Sequence, residues 1–151
     1  MNAASLGLAI LIGTLLPLQA LINAALGKQT FGAVFASLVS FSVGTGVLVL
    51  WWLASRPAFE ATVLAKVPWW AWTGGAIGAV YVAASTLLIP RMGAAALICL
   101  VVFGQLLGSI LLDHFGVLHT RQPVDLLRVV GAVLVAVGAL LVVRPWAAQG
   151  G

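Results

Sequence analysis

A chain of 151 residues that is 63% hydrophobic and 7% charged, with a mean hydropathy of +1.20, lacks the polar surface that a soluble domain needs. Its net charge of +4 comes from seven scattered Lys and Arg residues. No basic block is interleaved with aromatics, so nucleic acid is excluded as a partner and membrane lipid is implied.

Five apolar runs, at residues 4–26, 30–54, 68–89, 92–112 and 124–143, predict an all-α polytopic membrane protein of five transmembrane helices, forming a single transmembrane domain over 1–151. From Leu6 the first run holds roughly 20 apolar-rich residues, which at about 1.5 Å rise per residue matches a hydrocarbon core of about 30 Å. Its start has no positive n-region, and the apolar stretch outlasts a signal-peptide core, so a retained helix is expected. Within it, Pro17 has no N–H and frees the carbonyl of Gly13, which marks the two as a hinge. Gln19 and Asn23 are four residues apart and share one face, forming a candidate ligand wall. Amides of this kind also serve as interhelical hydrogen-bond glue, and the residues alone leave both readings open.

The second run ends in Trp51 and Trp52, followed by the polar turn Ser55, Arg56 and Pro57. Its Ser37, Ser40 and Ser42 can lend hydroxyls to a site, although serine in membrane helices commonly bonds its own backbone. The stretch from Pro57 to Val67, with Glu60 and Lys66, belongs in or near the headgroup region. Pro68, Trp69, Trp70 and Trp72 then open the third run at the same level. Tyr81 in that run either stacks on a substrate or packs. Only Pro90 and Arg91 separate the third run from the fourth, which predicts antiparallel neighbours. On the fourth, Gln105, Ser109 and Asp113 lie at i, i+4 and i+8, a polar line that reads as a second wall of the pathway or as capping and interfacial solvation of Asp113. Cys99 is the lone cysteine, so no intrachain disulfide forms, and it reads as a small buried side chain.

The following loop holds His114 and His119, five residues apart, a weak metal pattern in the absence of further acids or cysteines, and no metal or cofactor is expected. The last run finishes at Arg144, Pro145 and Trp146. An odd number of spans puts the termini on opposite sides. Gly74 with Gly78 and Gly104 with Gly108 are GxxxG pairs that permit close helix approach. Gly131 and Gly138, seven apart, share one face of the fifth helix and mark either a homodimer interface or packing within the chain. The helix centres hold no Asp, Glu, Lys or Arg, whereas proton-coupled and cation-binding carriers usually keep an intramembrane ionisable group. With no nucleophile and base paired at membrane depth, an enzyme is not expected.

The order LPLQALINAALG, SFSVGTG, PWWAWTGGAIGAVYV, PRMGAA and GQLLGSILLDHFG, spanning about Leu16 to Gly116, resembles the small YdcZ-type family of the drug/metabolite transporter superfamily. That resemblance implies a multi-pass inner-membrane bundle, similar to one half of the ten-span members whose halves are inverted repeats. It is also similar in size to the four-span small multidrug-resistance proteins, but their first-helix glutamate has no counterpart here. Gln19 and Asn23 stand nearest to its place. Such carriers bind near the midplane between inverted repeats and rock one unit against the other. A five-span chain supplies one repeat, and a second copy inserted the opposite way supplies the other. With a cytoplasmic N-terminus, Arg56, Lys66, Arg121 and Arg128 face Lys28, Arg91 and Arg144 across the membrane, four against three, a bias small enough to permit both orientations. The expectation is an antiparallel, dual-topology homodimer carrying a small organic metabolite or drug, with Gln19, Asn23, Gln105, Ser109 and Tyr81 as the substrate-binding residues. A passive solute or ion channel, or a non-transporting assembly subunit, stays open beside it.

Overall fold

Where no water is present to satisfy backbone N–H and C=O groups, a long apolar run must bond to itself as a helix. In the computed structural model, which describes residues 3–56, 59–118 and 120–144, five helical segments are long and apolar enough to cross a membrane, and the described residues contain no strand. They are α1 (Ala3–Gln29), α2 (Ala33–Ala54), the segment Trp69–Met92, α5 (Ala94–Phe115) and α6 (Leu126–Val143). A four-residue helix, α3 (Ala61–Leu64), lies between α2 and Trp69. The third span begins as a single 3-10 turn at Trp69–Trp72, and its α-helix, α4, runs from Gly74 to Met92. Thr73 closes the turn by donating its hydroxyl to the Trp70 carbonyl at 2.7 Å. Trp51, Trp52, Trp69, Trp70 and Trp72 are all exposed, as headgroup-level tryptophans should be. Pro57, Pro145 and Trp146 lie outside the described residues.

The break between the third and fourth spans is not at Pro90 and Arg91. Both lie inside α4, and Gly93 makes the turn with φ of 81°. A proline in the last turn of a helix removes only the bond to the carbonyl four residues back, here Thr86, so α4 tolerates it. The positive φ is what ends the helix, because glycine alone adopts it without strain.

Internal packing divides the chain into two compact units, Met1–Arg91 and Met92–Gly151. In the first, α1 packs on α2. Gly27 makes the tight reversal possible, since a Cβ there would stand 3.3 Å from the carbonyl carbon and oxygen of Gly32, whose N–H donates to the Gly27 carbonyl. Ala24 and Ala36 are buried on α1 and α2, and Gly78 of α4 leaves room for the Phe41 ring of α2, 3.5 Å from where its Cβ would be. The remaining buried positions of this unit are Asn23, Ser37, Ser85, Thr86 and Ile89, so apart from Ile89 its buried side chains are small or polar, while most of its Leu, Ile and Val side chains lie outside. That distribution suits a lipid solvent, in which apolar side chains gain little from burial and polar ones must find protein.

In the second unit α5 and α6 form a hairpin with Leu97, Ala132 and Ala139 buried. Gly116 ends α5 in the left-handed region at φ of 67°, and the Gln122 N–H donates to the Asp113 carbonyl at 2.8 Å. Asp125 caps α6 by accepting from the Arg128 N–H at 2.8 Å.

Candidate functional site

The four-residue spacing of Gln19 and Asn23 stacks them on one face of α1, and the helix passes through Pro17 without interruption. Asn23 is only 4% exposed, and it lines the spaces on both sides of α1. Gln19 reaches α2 instead, where its Nε2 donates to the Ser40 Oγ over a long 3.5 Å. From the other side α4 presents Tyr81, Ser85 and Thr86. The Thr86 hydroxyl donates to the Val82 carbonyl at 2.8 Å, which leaves its oxygen able to accept. Pro90 withholds the N–H that the Thr86 carbonyl would otherwise receive.

These side chains enclose a cavity of about 20 Å³ lined by Gln19, Asn23, Tyr81, Ser85 and Thr86, room for about one water. On the α2 side the same Gln19 and Asn23, with Ser40, border an open cleft of about 350 Å³, the scale of a small-ligand pocket. Asn23 thus borders both a small cavity and a larger, more open cleft. No charged side chain lines either space, so recognition here works through neutral donors and acceptors. Lys28 borders a neighbouring cavity of about 150 Å³ that shares Thr86.

Gln19, Asn23 and Tyr81 thus line one cavity. The polar line on α5 divides. Ser109 and Asp113 border a cavity of about 340 Å³ with Arg128 and Gly131, whereas Gln105 is exposed and does not line it. Asp113 is not simply solvated at the interface, because its Oδ2 pairs with Arg128 Nη1 at 3.3 Å while Arg128 Nη2 donates to Gln122 Oε1 at 2.6 Å. His114 accepts the Val124 N–H on Nδ1 at 3.3 Å, a role in holding the loop, and His119 lies outside the described residues. Gly13 is exposed on α1, and a Cβ at Gly13, Gly131 or Gly138 would meet nothing within 4 Å.

Sequence reasoning missed Ser85, Thr86 and Arg128, and undervalued Ser40. Ser37 does what serine in such helices usually does, donating to the Ala33 carbonyl at 2.8 Å, but Ser40 turns to Gln19. A usable signal existed for Ser85 and Thr86: they follow Tyr81 by four and five residues, and Thr86 precedes Pro90 by four.

A family model described as "Putative inner membrane exporter, YdcZ" matches residues 4–141. The chain belongs to this family. Among curated YdcZ relatives, "Inner membrane protein YdcZ" of Escherichia coli (strain K12) is 34% identical over 98 residues, 65% of this chain and 65% of that protein. The chain thus spans just under two thirds of that relative's length. No solved structure matches the chain. Membership in the YdcZ family, with five helices of spanning length, makes this a multi-pass protein of the inner membrane.

Proposed function

We propose that this protein is a carrier of a small organic metabolite or drug that works by alternating access as an antiparallel, dual-topology homodimer. The observation that carries the reading is the placement of Asn23, a side chain only 4% exposed that borders both a cavity of about 20 Å³ and a cleft of about 350 Å³. A carboxamide inside a membrane needs a polar partner, and one that borders two spaces can take that partner from a ligand. Gln19 and Tyr81 complete the wall, with Ser40, Ser85 and Thr86 supplying further hydroxyls. Ser109 belongs to the second unit and borders a separate cavity there, with the charged Asp113 and Arg128, outside this wall. The preferred substrate is neutral or zwitterionic, because the walls offer no countercharge.

The test starts with a thermal-shift screen of purified protein against a metabolite library, followed by flux of each stabilising compound in liposomes. Saturable flux accelerated by counter-substrate is expected. Unsaturated electrodiffusive flux would assign a channel, and no flux from protein that binds nothing would assign an assembly subunit.

A further inference from the structure

Within the first unit, Asn23 lies six residues before the end of α1 at Gln29, and Thr86 lies six before the end of α4 at Met92. At about 1.5 Å per residue each stands about 9 Å inside its helix end. With the single span α2 between them in the chain, α1 and α4 cross the membrane in the same direction, so the two residues share one depth. Hydrocarbon offers neither donor nor acceptor there. Yet three polar side chains are almost wholly buried at this level, Asn23 at 4%, Ser85 at 6% and Thr86 at 3% exposure, and together with Gln19 and Tyr81 they line the cavity of about 20 Å³. Bonds already made bias that lining toward acceptors. The Thr86 hydroxyl directs its proton to the Val82 carbonyl, so its oxygen can only accept, and Gln19 directs Nε2 to Ser40, which leaves its carbonyl oxygen to accept. Asn23 adds an NH₂ group and a carbonyl oxygen.

We infer that a single bound water molecule occupies this cavity and bridges α1 to α4, donating to the Thr86 oxygen and to a carboxamide oxygen of α1 and accepting from the Asn23 NH₂ group. Size and chemistry select the same guest. A buried water needs at least about 10 to 15 Å³ and about two to four polar partners, and this cavity supplies both while leaving no room for a larger molecule. Water carries two donors and two acceptors on one oxygen, so it answers an acceptor-rich lining and the Asn23 nitrogen at once. A bare cation is disfavoured, because none of the lining residues is charged and a desolvated ion without a countercharge is far costlier than a water. The bridge makes the meeting of α1 with α4 a hydrated joint, in contrast to the tight reversal of α1 into α2 at Gly27 and Gly32. It rests on the cavity alone and not on transport.

The full chain, labelled with ¹⁵N at Asn and Gln, is reconstituted in nanodiscs of deuterated lipid, and magnetisation transfer from water to the side-chain amides is recorded with dipolar transfer separated from proton exchange. A dipolar cross-peak from long-lived water to the Asn23 amide is expected. Ala20→Val fills the cavity and should abolish that cross-peak, with oxygen-17 relaxation dispersion losing one long-lived water. Thr86→Val keeps the side-chain shape but removes the oxygen, and should release the water roughly tenfold faster, the worth of about one hydrogen bond. Thr86→Ser keeps the oxygen and should retain the signal. Ala20 and Thr86 line this cavity and not the cleft on the α2 side, so these variants separate its water from any in the cleft. A resolved Asn23 amide with no dipolar transfer from water overturns the bridge, as does a signal unchanged in both Ala20→Val and Thr86→Val. A wild-type cross-peak that vanishes when sodium chloride replaces choline chloride at equal ionic strength assigns the cavity to a cation and overturns it as well.

Discussion

Nε2 of Gln19 on α1 stands 3.5 Å from Oγ of Ser40 on α2, and one turn further along α1 the Asn23 amide is buried between α2 and α4. A single helix face therefore touches two neighbours through uncharged polar groups. Any motion that separates α1 from either neighbour changes how many of those groups are satisfied, which is the property a binding site for a neutral solute requires.

Gln19→Leu and Asn23→Leu should each weaken ligand binding roughly tenfold to a hundredfold, the worth of about 1 to 3 kcal/mol for a buried polar group left unpaired. Expression and dimer fraction should stay near wild type. Ligand affinity and dimer fraction are measured on the same samples; structural glue would lower the two in proportion. Wild-type affinity in the Gln19→Leu, Asn23→Leu double variant removes this face from the site.

Ser40→Ala removes one weak acceptor and leaves Gln19 free to turn toward the cleft. A loss of affinity of about threefold or less is expected, because a 3.5 Å contact is near the limit of a hydrogen bond. Titration of the stabilising compound by thermal shift reads this directly. A loss as large as that of Asn23→Leu would make Ser40 a ligand contact in its own right.

Orientation should respond to added charge. Reporter fusions at the C-terminus are expected to work on both sides of the membrane, and two lysines placed beside Lys28 or Arg91 should drive the population to one orientation. Activity should fall with it. Full activity in a singly oriented population rules out the antiparallel dimer.

Gly138→Leu should move purified protein toward monomer, since an exposed glycine on α6 gives way to a bulky side chain. Gly131→Leu is the less selective change, because Gly131 borders a cavity of about 340 Å³ that can take up the new side chain within the chain. Analytical ultracentrifugation in detergent measures both. A dimer that survives Gly138→Leu would place the interface elsewhere.

Gly116→Ala should destabilise the α5–α6 hairpin. At φ of 67° an alanine costs about 1 to 2 kcal/mol, and its Cβ would meet Arg121 Cβ at 3.0 Å and the Arg121 backbone at 3.1 Å. Gly46→Ala, in open space within α2, serves as control and should be neutral or slightly stabilising. Thermal melting in detergent compares the two.

The five spans and the membrane class are legible in the amino-acid sequence, because hydropathy and length act locally and every segment must satisfy its own backbone. So is the shared face of Gln19 and Asn23, which follows from helical spacing alone. Pro90 misled because proline ends helices on average, while its actual cost in a last turn is one hydrogen bond, and the sign of φ at Gly93 is what stops the helix. Other features were decided only in three dimensions. That Ser40 turns to Gln19 while Ser37 turns to its own backbone, that Ser85 and Thr86 meet Asn23, and that Arg128 finds Asp113 all depend on which faces of separate helices come together. In lipid that choice is made by small residues and polar pairs spread far apart along the chain, and no local pattern of hydrophobicity encodes it.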